Sequence, residues 1–319
     1  MKSKYIASAL WVVCLACSPS PAQPTPEPPV PAPTAAHVAA DSAATPTLSA
    51  PPLDESAYPW IADWAAEKPA LVTLEARFPA PPGFERVPVD PGSFEAWLRG
   101  LPVRTDRHNV LAYNGDRLRR PSAAVVFLDV GKRDLQQCAD SAIRLHAEYL
   151  WHRGLAKKAA YHFTSGDRSD WADWQRGERF IVAGAKVKRV QGAQRKNDHR
   201  TYRGWLTHLF RYAGTRSLAR DSDAVGSRPF LAGDFFVQPG GPGHAVMILD
   251  VAEDAQGRQA ALIGQGFMPA EDFHIVAANG AHTLGRVWFL LPPGAGRVNT
   301  PSWRPFSRTE ARRFRTPKG

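Results

Sequence analysis

The order of hydrophobic patterns along the chain predicts an α+β fold. Helix-period segments come first, at residues 94–98, 134–152 and 202–218. Alternating or continuous apolar runs then crowd the second half, at 234–237, 244–251, 259–264 and 285–291. Short glycine-bearing links join these runs, so the strands should pair antiparallel with the earlier helices packed on the sheet. Nine of the ten tryptophans lie beyond residue 58, enough bulk for one sizeable core over residues 58–319.

Taken in order, Tyr58–Trp64 reads as a short amphipathic opening segment. Leu71–Phe78 reads as a strand closed by Pro79-Ala80-Pro81-Pro82-Gly83. Ser93 starts a short helix through Phe94, Trp97 and Leu98, which Gly100 and Pro102 stop. Val110–Tyr113, the Asn114-Gly115 turn and Ala123–Val130 form an expected strand pair. The clearest helix runs from Asp134 to about His152, with Asp134 and Gln137 at capping-box spacing. Leu135, Cys138, Ala142, Leu145 and Tyr149 share its apolar face. A strand at Phe180–Val187 and a second long helix at Tyr202–Leu218 follow. Then come Asp234–Val237, the turn Pro239-Gly240-Gly241-Pro242-Gly243, and a strand opening on His244 with the apolar run Ala245–Leu249.

The N-terminus carries a targeting signal. Lys2 and Lys4 form a basic region before Ile6–Leu15, an apolar stretch too short to span a bilayer. Cys14-Leu15-Ala16-Cys17-Ser18 resembles a bacterial lipobox, which implies cleavage before Cys17 and acylation of its thiol. Two or three acyl chains anchor stably where one is marginal. Ser18 in place of aspartate favours the outer membrane, facing the periplasm; the alternative is an ordinary secretory signal cleaved near Ala16 or Ala22. Residues 18–57 read as a tether: proline- and alanine-rich through Pro52, with almost no charge, and unable to bury enough apolar surface to fold. Extended at ~3.1 Å per residue, it reaches on the order of 100 Å.

The chain is formally +10, or +8 once Lys2 and Lys4 are subtracted with the signal. Much of this charge is arginine, including Arg304, Arg308, Arg312, Arg313 and Arg315, expected on a solvated basic surface. Such a charge attracts anions at long range without naming one. In the envelope the anions are lipid phosphates and wall carboxylates, so peptidoglycan or another anionic polymer is the expected partner and nucleic acid is not.

With Cys14 removed and Cys17 acylated, Cys138 is the one thiol left. A helix start favours its thiolate, although the apolar face on which it falls equally suits a core cysteine. His244, held at the mouth of a buried strand, suits a general base or a simple strand cap. Gln265, on the next strand, can orient an imidazole or belong to a turn. His146, Glu148 and His152 lack zinc-peptidase spacing, and no second thiol is present, so no metal or other cofactor is expected. The glycine turn before His244 links strands and lacks a phosphate-loop ending. Tyr161, Trp171 and Trp174 suit either an aromatic sugar-binding wall or core packing.

Cysteine on a helix, then Gly233-Asp234-Phe235-Phe236, then Gly243-His244-Ala245-Val246 and a third polar residue, resembles papain-like cell-wall hydrolases of the CHAP and NlpC type. That resemblance implies a papain-like core with Cys138 as nucleophile, His244 as base and Gln265 as orienting residue. It departs in having Gln137-Cys138-Ala139 at the helix start and a long gap between Cys138 and His244. Gln136, Gln137 and Asp272 are the further candidates for oxyanion or substrate contacts, and His274 is a candidate for the same cleft. Over most of its length the domain also resembles an uncharacterised family of bacterial lipoproteins, through residues 130–140, 243–246 and 268–274. The expected function is a cysteine amidohydrolase or peptidase acting on peptidoglycan-type amide bonds. The alternative is a non-catalytic envelope lipoprotein that binds wall fragments or a protein partner.

Overall fold

Ten strands drawn from residues 84–314 form one antiparallel sheet, and the functional candidates sit at one end of its central strands. The computed structural model describes residues 51–64, 66, 68–184 and 186–315. Cys17, the signal and most of the tether lie outside the described residues. Glu55–Ala57 already form a turn capped by Asp54, and Trp97 donates its indole N–H to the Ala57 carbonyl at 3.1 Å, so ordered packing begins upstream of Tyr58.

In chain order the strands are β1 (Phe84–Arg86), β2 (Ser122–Val125), β3 (Ser222–Ala224), β4 (Phe235–Gln238), β5 (His244–Asp254), β6 (Gln259–Gln265), β7 (His274–Val276), β8 (Thr283–Leu284), β9 (Trp288–Leu290) and β10 (Ala311–Phe314). Across the sheet they run β3-β10-β4-β5-β6-β7-β2, with β1 pairing β5, β9 pairing β6, and β8 pairing β9. The helices are α1 (Trp60–Asp63), α2 (Leu74–Arg77), α3 (Phe94–Arg99), α4 (Cys138–His152), α5 (Trp171–Arg176), α6 (His199–Leu209) and α7 (Thr215–Arg220).

Strand β5 explains why the sheet has two cores. Ala245, Met247 and Leu249 point to the side on which Ala139, Ala142, Ile143 and Leu145 of α4 pack. Val246 and Ile248 point to the other side, with Phe236, Ile263 and Phe306. This is the period of a strand buried on both faces, and each of its Val, Ile, Leu and Met side chains contributes about 1.5–3 kcal/mol. A bulge between Ile248 and Asp250 shifts the phase, so that Val251 joins the second core and Ala252 the first. The bulge leaves Asp250 fully buried, where its carboxylate meets Arg86 Nε and Arg99 Nε at 2.6 Å each.

Helix α4 is buried around most of its circumference, including charges. Arg144 bridges Glu148 and Asp129 at 2.6 Å each, and its guanidinium also donates to Gln136 Oε1 at 2.9 Å. His199 Nε2 closes on Glu148 at 2.9 Å. Such a cluster is fully satisfied internally, the condition for tolerating buried charge.

Several expected elements are redrawn. The segment 71–78 is strand only to Thr73, whose hydroxyl accepts from the Ala76 N–H at 3.2 Å and so starts α2. The second member of the early strand pair shortens to β2, and it pairs with β7 instead of 110–113. The strand expected at 180–187 is a hairpin, Glu178–Ala183 with Lys186–Gln191, turning at Gly184, whose φ is +59°. The helix expected at 202–218 is two, α6 and α7, separated by residues 210–214. The tail arginines are not simply solvated. Arg313 lies in β10 and grips Asp234 with bonds of 2.5 and 2.8 Å, and Arg315 pairs with Asp223 at 3.0 Å. Tyr161 and Trp171 are core, Tyr161 touching a groove beside His162 and Asp221, and Trp174 lines a separate surface groove.

Candidate active site

Cys138 is the first residue of α4, not four residues beyond a cap at Asp134. Gln137 is the cap: its backbone N–H donates to Asp140 at 3.1 Å, and the Ser141 N–H returns to the Gln137 carbonyl at 2.9 Å. Asp134, the expected cap, instead accepts from Gln137 Nε2 at 2.9 Å and from the Ala270 N–H at 2.7 Å, tying the pre-helix loop to the β6–β7 connection. The Cys138 thiol lies near the backbone N–H groups of Ala245, Ala139 and Cys138 itself, all of which favour its thiolate. Burial nonetheless pushes the thiol up to about 11, these N–H groups pulling the other way and the Asp140 charge adding to the rise. The helix start seats against β6 at Gly266, where a Cβ would fall 2.6 Å from Ser141 Oγ.

His244 opens β5 opposite Gln238. Its ring lies among Phe267, Trp303 and Phe306, with centroids at 4.6, 5.0 and 6.1 Å. Gln238 fastens this cover: its Oε1 accepts from Trp303 Nε1 at 2.8 Å and from Arg304, and its Nε2 donates to Glu310 at 2.9 Å. His244 Nε2 is 2.9 Å from Gln265 Oε1, while Nδ1 is buried without a partner. Burial lowers the ring to about 4, the Gln265 bond opposing and Arg120 assisting.

Gln265 ends β6 in register with His274 at the start of β7, and its Nε2 is 3.4 Å from His274 Nε2. Beyond His274 lies Glu271, fully buried, with Oε1 3.6 Å from His274 Nδ1 and Oε2 accepting from Arg120 Nε at 2.7 Å. Burial pushes the Glu271 carboxyl up to about 7, against the pull of Arg120. Arg120 also lies over the Phe267 ring at 4.5 Å and donates to the Met268 carbonyl at 3.0 Å.

Thus the structure joins His244 to Gln265 directly. It brings the thiol to the residue after His244, and no hydrogen bond links sulfur and imidazole in this conformation. Gln137, Cys138 and Ala139 line a cleft of about 360 Å³ together with Thr215, Met268 and the turn Gly240–Gly243. Peptides 241–242 and 268–269, both cis, lie in its wall. Gln136 does not serve there: it is fully buried, donating to the Asp129 carbonyl and accepting from Arg144 and Arg203. Asp272 is also elsewhere, held by Arg107 at 2.6 Å and by the Leu111 N–H at 2.8 Å beside a different cavity. Its neighbour Glu271 takes the inward position. Nothing in the sequence signals this, because Arg120, the partner that makes a buried Glu271 tolerable, is 151 residues away.

One protein family matches the chain, described as Domain of unknown function (4846), over residues 74–313. No curated protein matches it. No solved structure matches it.

Proposed function

The chain belongs to the family of the domain of unknown function (4846), and we propose that this member is a cysteine hydrolase of amide bonds in the cell envelope, built on a papain-like core. The supporting observation is the unpartnered Nδ1 of His244, its Nε2 held by Gln265, on the residue next to Ala245, whose backbone N–H lies near the Cys138 thiol. A lone pair buried without a donor is costly unless it has a task, and proton acceptance from a thiol is such a task.

In the proposed reaction both groups start neutral, since burial raises the thiol and lowers the imidazole. His244 Nδ1 takes the thiol proton as the sulfur attacks the amide carbonyl carbon. The N–H groups at the start of α4 receive the oxyanion. Collapse breaks the C–N bond, and the amine leaves with the proton from Nδ1. Water, deprotonated by the same nitrogen, then hydrolyses the thioester and restores the thiol.

The substrate class follows from charge. The cleft meets a second groove at Leu135, Phe210 and Arg211, and Lys132 and Arg133 rim that groove. Among the described residues, Lys132, Arg133 and Arg211 have no carboxylate partner, so they are available to carboxylates of a peptide. Trp174 in the same groove offers a ring face to a sugar. Acidic stem peptides of peptidoglycan fit this combination.

The decisive assay incubates the purified chain with soluble wall fragments and follows amine release. Cys138→Ala and His244→Ala should each abolish release while leaving fragment binding in place. Cleavage that survives Cys138→Ala would remove the thiol from the mechanism. Binding without any cleavage by the unaltered chain would leave the non-catalytic alternative. We also propose that Cys17 carries the lipid anchor, in the outer membrane facing the periplasm. Incorporation of labelled palmitate that Cys17→Ala does not abolish would reject that anchor.

A further inference from the structure

We propose that His274 is a positioning residue, which dictates through the Gln265 amide which nitrogen of His244 carries the proton. The argument runs along one chain of donors and acceptors and begins at a group whose role is fixed. A backbone carbonyl only accepts, and His274 Nδ1 lies 3.2 Å from the Asp272 carbonyl, with Glu271 Oε1 on the same side at 3.6 Å. The carbonyl therefore requires the proton on Nδ1, Glu271 Oε1 lying too far to hydrogen-bond. A neutral ring then leaves Nε2 as a bare acceptor. Only the NH₂ end of Gln265 can satisfy that nitrogen, so the amide turns its Nε2 to His274 and its Oε1 to His244. Oε1 in turn accepts, so His244 must carry its proton on Nε2, and Nδ1 is left bare.

The environment supports a neutral His274. It is fully buried, and burial lowers it to about 4, with the Asp272 carbonyl opposing and Arg120 and His244 assisting. The charged and titratable groups around it are Glu271, Arg120 and His244, with the Asp272 carboxylate turned to Arg107. Were the His274 proton on Nε2 instead, the Gln265 amide would reverse and donate to His244 Nε2. The His244 proton would then sit on Nδ1, the wrong nitrogen for a base.

The tautomer assignment stands on hydrogen bonding alone. Its catalytic meaning rests on the cysteine-hydrolase reading. The test is therefore spectroscopic first: ¹⁵N-histidine NMR of the intact chain at pH 7 reads the protonation of each ring nitrogen. His274 should be protonated at Nδ1 and His244 at Nε2. His274→Leu should abolish the single tautomer of His244. In a Gln265→Glu background, where the side chain facing His244 is an acceptor whichever way it turns, the same change should have no effect on the His244 tautomer. Where wall-fragment cleavage is measured, His274→Leu should lower kcat toward the ~10²-fold that a general base contributes, with KM unchanged. A His274 proton on Nε2 in the unaltered chain overturns the proposal, even if the variant fails to fold. So does a His244 tautomer indifferent to His274→Leu. Loss of the hydrolase reading would show separately, as cleavage unaffected by Cys138→Ala, with the tautomers unchanged.

Discussion

The Cys138 thiol should weaken the fold at high pH, by an amount that follows from its burial. Its folded value of about 11 lies above the ordinary 9.0. The difference of about two units corresponds to ~2.7 kcal/mol, or ~100-fold in thiolate population at neutral pH. A group whose folded pKa is raised contributes stability that is complete below the unfolded value and lost as pH rises through the folded value. The window is therefore pH 9 to 11. Denaturant unfolding across that window, for the unaltered chain and for Cys138→Ala, isolates the term, because the tyrosines and lysines titrate in both proteins. The unaltered chain should lose ~2–3 kcal/mol more than the variant. Alkylation of the native thiol should also be at least ~100-fold slower at pH 7.5 than in the unfolded chain. A native thiol that titrates below pH 8 and outpaces the unfolded one would refute the reasoning. It would mean a thiolate–imidazolium pair in the resting state, and the neutral start of the proposed reaction would be wrong.

Other expected outcomes are equally direct. Asp250→Asn strips the counter-charge from Arg86 and Arg99 in a buried setting and should cost about 3–5 kcal/mol in urea unfolding; a loss below 1 kcal/mol would show that water reaches the pair. Gly266→Ala should push the start of α4 away from the end of β6 and reduce the proposed cleavage more than stability, because its Cβ meets Ser141 Oγ. Adding Ser141→Ala should restore much of the cleavage, and no restoration would place the effect elsewhere. His244 and His274 are both held near 4, below the ordinary 6.5. Depressed values make their contribution complete above pH 6.5 and lost as pH falls through 4, about 3 kcal/mol each. His274→Leu should therefore flatten the acid limb of the stability profile, and an unchanged limb would contradict the burial of a neutral ring.

How far the sequence revealed the site depended on the range of the forces involved. His244 and Gln265 were legible because each ends or begins an apolar strand, and neighbouring antiparallel strands bring such ends together. The start of α4 was legible only to within four residues. Asp134-Gln137 and Gln137-Asp140 both have capping spacing, and the choice is made by the Ala270 N–H, which draws Asp134 away from the helix. The break between α6 and α7 was visible in principle at Gly214, but an amphipathic pattern on both sides hid it. Glu271, Arg120 and the strand β10 were illegible for one reason: their partners lie 79 to 151 residues away. A charged residue in isolation reads as surface.

Strand β10 has a consequence for how the protein is made. It is formed by residues 311–314, yet it lies between β3 and β4, directly beside the strand that pairs with the His244 strand. A chain stopped before Ala311 would leave β4 with a bare edge and Asp234 buried opposite no guanidinium. Synthesis short of that point should therefore yield a product that cannot close its sheet and is open to proteolysis. Closure of the sheet beside β4 thus waits on residues made 73 or more positions after that strand.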